Sequence, residues 1–135
     1  MTQNAKRFYT RSKIWIEDDK GNVVFGLGRF RMLNAIKEHG SLLGASKALN
    51  MGYRAIWSRI RSTEERLGAA LLVKQQGGAK GGGSQLTPLA EELVKEFAKV
   101  YKNIEQMTDD EFEKTLGNYL SINNSAVESN MKFSK

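Results

Sequence analysis

Between Gly40 and Pro88 the chain reads G-S-L-L-G-A-S-K-A-L-N-M-G-Y-R-A-I-W-S-R-I-R-S-T-E-E-R-L-G-A-A-L-L-V-K-Q-Q-G-G-A-K-G-G-G-S-Q-L-T-P, and no other stretch constrains the fold as much. Ser41 can cap a short helix whose inward residues are Leu42, Ala45, Ala48 and Leu49. Asn50-Met51-Gly52 then supplies a tight turn, with Asn50 able to take the left-handed conformation and Met51 expected to bury in the crook. A second helix runs from Gly52 or Tyr53 to Leu67-Gly68. At 100° per residue, Tyr53, Ile56, Ile60, Thr63 and Leu67 share one side. Arg54, Ser58, Arg61 and Glu65 line the opposite side, Ala55, Arg59 and Ser62 flank it, and Trp57 falls on the border. Leu71–Lys74 and Gln85–Thr87 read as paired short strands around a loop with five glycines, and Thr87-Pro88 opens a further helix. Helix, turn, helix, strand, glycine-rich loop, strand, helix is the order of a winged helix-turn-helix.

The flanks extend this into an α+β, mainly α, plan. Ile14 and Ile16 alternate with Trp15 and Glu17, and Asp19-Lys20-Gly21-Asn22 can turn the chain into Val23–Leu27, so an N-terminal β-hairpin is expected with Trp15 as a packing anchor. The spacing of Phe30, Met32, Leu33 and Ile36 predicts a helix from Arg29 to about His39, ended by Gly40. After Pro88, Leu89, Leu93, Phe97, Val100, Tyr101, Ile104 and Met107 recur at threes and fours. This is a long helix with a narrow apolar seam, followed by a shorter helix over Asp109–Leu120. Residues 1–12 read as a flexible basic start, 13–120 as the folded domain, and 121–135 as a disordered tail.

Composition narrows the chemistry. The 135 residues carry a net charge of +6, and the middle third holds Arg54, Arg59, Arg61, Arg66, Lys74 and Lys80. Such a surface favours polyanions by attraction and counterion release. There is no cysteine and His39 is the only histidine, so a zinc site or a His-activated nucleophile is not expected. No apolar run reaches membrane-span length and no signal peptide is evident, which makes a cytoplasmic location the expectation. Gly77–Ser84 fails the phosphate-binding G-x-x-x-x-G-K-[ST] pattern, because lysine does not follow the last glycine.

Three motifs, G-S-L-L-G-A-S-K-A-L, M-G-Y-R-A-I-W and G-G-A-K-G-G-G-S-Q-L-T-P, make Gly28 to about Ile104 similar to the N-terminal DNA-binding domain of the ModE family of molybdate-responsive transcription regulators. More distantly the segment resembles LysR-type regulators. The resemblance implies a homodimeric regulator of double-stranded DNA, not an enzyme. In the family, molybdate binds a separate C-terminal pair of small β-domains. The chain ends before such domains could begin, and Ser125-Ala126 is followed by Val127-Glu128-Ser129-Asn130, a departure from the usual junction. No cofactor is therefore expected in this chain, and no membrane association.

The candidate DNA contacts are Ser41, Tyr53, Arg54, Ala55, Trp57, Ser58, Arg59, Arg61, Ser62, Lys74, Lys80, Gly81 and Gly82. Arginine can bind guanine O6 and N7 with two parallel hydrogen bonds, and glycines let backbone N–H groups approach phosphates. Each arginine taken alone is equally well read as part of a solvated helix face; the group as a whole favours DNA. Tyr53 stands open between a phosphate contact and packing, and most of the Trp57 ring is expected to fill space between the two helices. Leu93, Phe97, Val100, Tyr101, Ile104 and Met107 are the candidate dimer seam, against packing of the same residues on the chain's own first helix. A winged helix used for protein contacts, or a non-specific architectural module, is the alternative function.

Overall fold

The computed structural model describes residues 6–75 and 83–122. Its elements are β1 (Trp15–Glu17), β2 (Val23–Gly26), α1 (Leu27–His39), α2 (Leu42–Leu49), α3 (Tyr53–Leu67), β3 (Leu72–Gln75), β4 (Gly83–Leu86), α4 (Pro88–Lys114) and α5 (Leu116–Ile122). They divide between two compact units. One is Ile14–Lys99; the other joins Met1–Lys13 to Val100–Lys135.

In the first unit the hairpin β1–β2 is antiparallel, with Trp15 opposite Gly26 and Ile16 opposite Phe25, and a register shift follows Ile16. Its turn is organised by Asp18, whose Oδ1 accepts the backbone N–H groups of Asn22 and Lys20 at 2.9 Å each. The Asn22 bond, with the others, holds the Asp18 carboxyl below its usual range. Gly21 sits at φ +84, the left-handed region that glycine enters without strain. Trp15 does not serve as the expected anchor. It is half exposed, as is Ile16, in a strand whose one paired neighbour among the described strands is β2. The indole N–H instead donates to Glu17 Oε2 at 2.7 Å.

The core lies under β2 and between the helices: Phe25, Met32, Leu33, Ile36, Ala45, Ile56, Ile60, Leu71, Leu86, Ala90 and Phe97 are all buried. Phe97 meets Phe25 edge-on at 5.2 Å between ring centroids and lies 5.5 Å from Phe30. The buried Thr63 hydroxyl donates to Val24 O at 2.7 Å, which ties α3 to β2 without leaving a polar group unpaired.

Helix ends follow their local chemistry. Gly40 and Gly68 close α1 and α3 in the left-handed conformation, and Asn50 does the same for α2 at φ 54. The Ser41 hydroxyl accepts Gly44 N–H at 2.8 Å, as the cap reading requires. On α2 Ala45 and Ser46 are buried and Leu42 and Leu49 half-buried beside them, with Ser46 satisfied by donating to Leu43 O at 2.9 Å. Ala48, expected inward, is exposed, since it lies about 120° from Leu42 on the helix. Met51 is half-buried.

Strands β3 and β4 pair antiparallel, Leu72 opposite Leu86 and Gln75 opposite Gly83. Both are offset from the expected spans by one or two residues. Ser84 N–H donates to Gly40 O at 2.8 Å, so β4 docks on the turn that ends α1. Close approach requires Gly83: a Cβ there would stand 2.4 Å from Gly40 O. Thr87 then starts α4, accepting Ala90 N–H at 3.2 Å while its hydroxyl donates to Ala70 O at 2.9 Å.

In the second unit, α4 continues through the acids at 109–111 to Lys114, and α5 follows to Ile122. The expected shorter helix over Asp109–Leu120 is therefore replaced by a later break. The Thr108 hydroxyl donates back to Ile104 O at 2.8 Å, and Gln106 Nε2 donates to Asp110 Oδ1 at 3.0 Å; both are bonds within a continuing helix. Residues 6–12 contain no helix or strand; Thr10 donates to Asp109 Oδ1 at 3.3 Å, and the Tyr101 hydroxyl donates to Ser12 O at 3.0 Å.

Candidate nucleic-acid interface

Helix α3 carries most of the candidate contacts, and its two sides are set by what the core takes. Ile56, Ile60 and Thr63 lie within an arc of about 60° and are fully or almost fully buried. Directly across from them Arg54, Ser58 and Arg61 are exposed, with Glu65 on the same side. The outward side is wider than expected. Trp57 lies about 60° round the helix from Ile60, clear of the buried arc, and is 48% exposed, so its ring does not fill the space between α2 and α3. Tyr53 is 47% exposed in the first turn, and Leu67 is exposed in the last, because the helix outruns the core at both ends. Tyr53, Arg54, Trp57, Ser58 and Arg61 thus form one continuous stripe of aromatic, cationic and hydroxyl groups.

Other candidates sit differently. Arg59 is exposed at the flank, but its carbonyl accepts Arg29 Nε at 3.3 Å. Ser62 turns toward α1: its hydroxyl donates to Arg59 O at 3.2 Å and accepts Arg29 Nη2 at 3.4 Å. Burial, with Arg66 and Arg59 nearby, lowers the pKa of the Arg29 guanidinium. Arg66 is directed to the hairpin, where Nη1 donates to Val23 O. Ala55 is half-buried, and the hydroxyl of Ser41, the cap of α2, is engaged by Gly44 N–H. Lys74 is exposed on β3. Lys80, Gly81 and Gly82 lie outside the described residues.

A cavity of about 160 Å³ opens between α3 and the β3–β4 pair. Trp57, Arg61, Lys74 and Ser84 line it together with Leu42, Ile60, Glu64 and Leu72. The Arg61 guanidinium carbon lies 5.9 Å from the Trp57 ring centre, a cation–π placement. Sequence reasoning missed the residue beneath this arrangement. Glu64 Oε2 accepts the backbone N–H groups of Leu71 and Leu72 at 2.7 and 3.2 Å, and Oε1 pairs with Arg61 Nη1 at 3.3 Å. The only hint in the sequence is a helical acid three residues after an arginine and just before a glycine stop.

Of the candidate dimer seam, Leu93 is half-buried and Phe97 is taken into the chain's own core, the alternative packing considered for it. In the second unit Val100 and Met107 are exposed, and Tyr101 and Ile104 half-buried. Among the described residues no group of three or more His, Asp or Glu side chains is placed to hold a metal, and no helix is long and apolar enough to cross a membrane.

Residues 27–91 match the family described as bacterial regulatory helix-turn-helix protein, lysR family. The molybdenum transport protein ModE of Azotobacter vinelandii is 33% identical over 90 residues, 67% of this chain and 32% of that protein. The molybdenum-pterin-binding protein MopB of Rhodobacter capsulatus is 30% identical over 91 residues, again 67% of this chain and 33% of its own length. Among solved structures, full-length LysG of Corynebacterium glutamicum with bound effector Arg is similar over 65% of this chain and 28% of that one, at 24% identity and a TM-score of 0.47. The chain spans about a third of the length of these curated relatives. From Leu27 to Glu91, then, the chain carries a LysR-type winged helix-turn-helix domain whose homologues are named ModE, MopA and MopB.

Proposed function

We propose that this chain is a sequence-specific DNA-binding transcription regulator of the ModE type. Helix α3 enters the major groove, and the β3–β4 pair meets the sugar–phosphate backbone beside it. One observation carries this reading: a rigid helix buries Ile56, Ile60 and Thr63 and turns Tyr53, Arg54, Trp57, Ser58 and Arg61 outward as one exposed stripe. A helix of that kind fits the width of the major groove, and its arginines match the acceptor pattern of guanine. The lysR-type match over the same residues supports regulation rather than catalysis.

Two recognition helices about one DNA turn apart read a two-fold operator, so the acting form is a homodimer. The exposed apolar groups of α4, Val100 and Met107, with Leu93, Tyr101 and Ile104 beside them in sequence spacing, are its proposed contact. Phe97 is not part of it. A regulator of chromosomal genes acts in the cytoplasm. The matched residues form the helix-turn-helix itself, and oxyanion sensing is no part of this proposal.

The test is selection of bound duplexes from a random pool, followed by anisotropy titrations of the selected and a random duplex across salt. We expect an inverted repeat. Arg54, Arg59, Arg61 and Lys74 are exposed on this side. If Arg59 and Lys74, the two not assigned to bases, each neutralise one phosphate, these contacts contribute a log–log salt slope of about −2 per bound copy. Equal affinity for both duplexes supports the architectural alternative. A flat salt dependence supports a protein-contact module instead.

A further inference from the structure

We infer that Glu64 is a positioning residue for base readout: it holds Arg61 ready for the groove and locks the recognition helix to the strand pair beside it. The inference rests on the DNA-binding reading above and assigns a part of that site to a largely buried residue behind the exposed stripe.

The Glu64 side chain is only 11% exposed, and one oxygen accepts two backbone N–H groups, from Leu71 at 2.7 Å and Leu72 at 3.2 Å. Leu71 is fully buried, so its N–H has no water to turn to. Those two bonds join the last turns of α3 to the entry of β3 and fix the carboxylate in one orientation. Its second oxygen is then a stationary anchor for Arg61, whose Nη1 lies 3.3 Å away and whose guanidinium also rests against Trp57. Arg54 and Arg59, on the same helix, have no side-chain acceptor of this kind among the described residues.

Two consequences follow. A guanidinium has five N–H donors, and one engaged by Glu64 leaves a pair for guanine O6 and N7. Fixing the side chain beforehand removes rotamer freedom that would otherwise be lost on binding. The same carboxylate also offsets part of the charge of Arg61, which weakens its attraction to phosphates of any sequence. Glu64 therefore favours the specific complex over the non-specific one.

Two measurements decide this. In the DNA-free wild type, ¹⁵N relaxation of the arginine Nε groups should show Arg61 ordered and Arg54 mobile. Equal mobility overturns the inference whatever the protein binds. The second is a cycle of Glu64→Gln with Arg61→Ala, read as the affinity ratio between selected and random duplex. The glutamine carbonyl can still accept both backbone N–H groups, so E64Q should melt near wild type, whereas Glu64→Ala should not. E64Q should lower the ratio roughly tenfold, with the lost preference confined to one base position, and should raise affinity for random duplex. In the Arg61→Ala background the ratio should change less than about twofold. The same loss in both backgrounds means that Glu64 acts through the fold alone and overturns the inference. A wild type that does not discriminate duplexes at all instead defeats the functional reading, while the relaxation result still decides how Arg61 is held.

Discussion

Replacing Arg54 and Arg61 together by alanine should lower affinity for the selected operator by about thirty-fold at the least and about twenty-five-thousand-fold at the most, while the protein melts within a few degrees of wild type. The range comes from about 1–3 kcal/mol for each well-made arginine–base contact. Both side chains project from the exposed side of α3, and neither contributes to the buried arc of Ile56, Ile60 and Thr63. Arg54 has no ion pair to lose among the described residues. Arg61 loses one with Glu64, but a pair whose arginine is half exposed contributes about 0–1 kcal/mol, and Glu64 keeps its two backbone donors. The loss should fall mainly on the selected duplex, so that the ratio to random duplex collapses. Lys95→Ala, which removes one charge from an exposed position on α4, should leave that ratio unchanged. A double variant that retains the full ratio means that these two side chains do not read bases.

Phe97→Ala should be among the most destabilising single changes in the first unit, at about 3–5 kcal/mol. The ring is 6% exposed and packs on both Phe25 and Phe30, which belong to β2 and α1. Its removal leaves a cavity where three elements of one unit meet. For a domain with a total stability of about 5–15 kcal/mol, the melting midpoint should drop by tens of degrees. Protein concentration separates this role from the seam role that helical spacing assigned to Phe97. Loss of a core ring lowers the midpoint equally at low and high concentration. Loss of an interface ring produces a deficit that is absent where both proteins are monomers and grows to a plateau as concentration rises and the wild type dimerises. Thermal melts across a hundredfold concentration range distinguish the two outcomes, and the account expects a constant deficit.

Legibility in the sequence followed how local the determining physics is. Gly40, Ser41, Asn50 and Gly68 end or begin helices through bonds to their own neighbours, and their places could be read directly. The buried side of α3 was equally legible, because β-branched and hydroxyl residues recur there at helical spacing. Trp57 was not. Periodicity puts it on a border, and whether a border ring is covered depends on how close α2 and the strand pair come, which is a tertiary fact. Trp15 was misjudged for a related reason: strand alternation says which faces differ but not whether anything packs on a particular one. Acids at Asp109 and Asp110 suggested a helix start, yet solvated acids are tolerated within a long helix. The break comes at Thr115, whose hydroxyl donates to Glu111 O at 2.7 Å. Beyond it Gly117 lies against Phe112, with no room for a Cβ. Glu64 was invisible because its partners, the N–H groups of Leu71 and Leu72, converge only once the chain has turned at Gly68.

The most direct test follows backbone amide shifts of ¹⁵N-labelled protein as the selected duplex is added. The account expects the largest changes at Tyr53, Arg54, Trp57, Ser58 and Arg61, followed by Lys74, with Ile56, Ile60 and Thr63 moving little. Shifts that leave the outward stripe of α3 unmoved and gather on another element would contradict it.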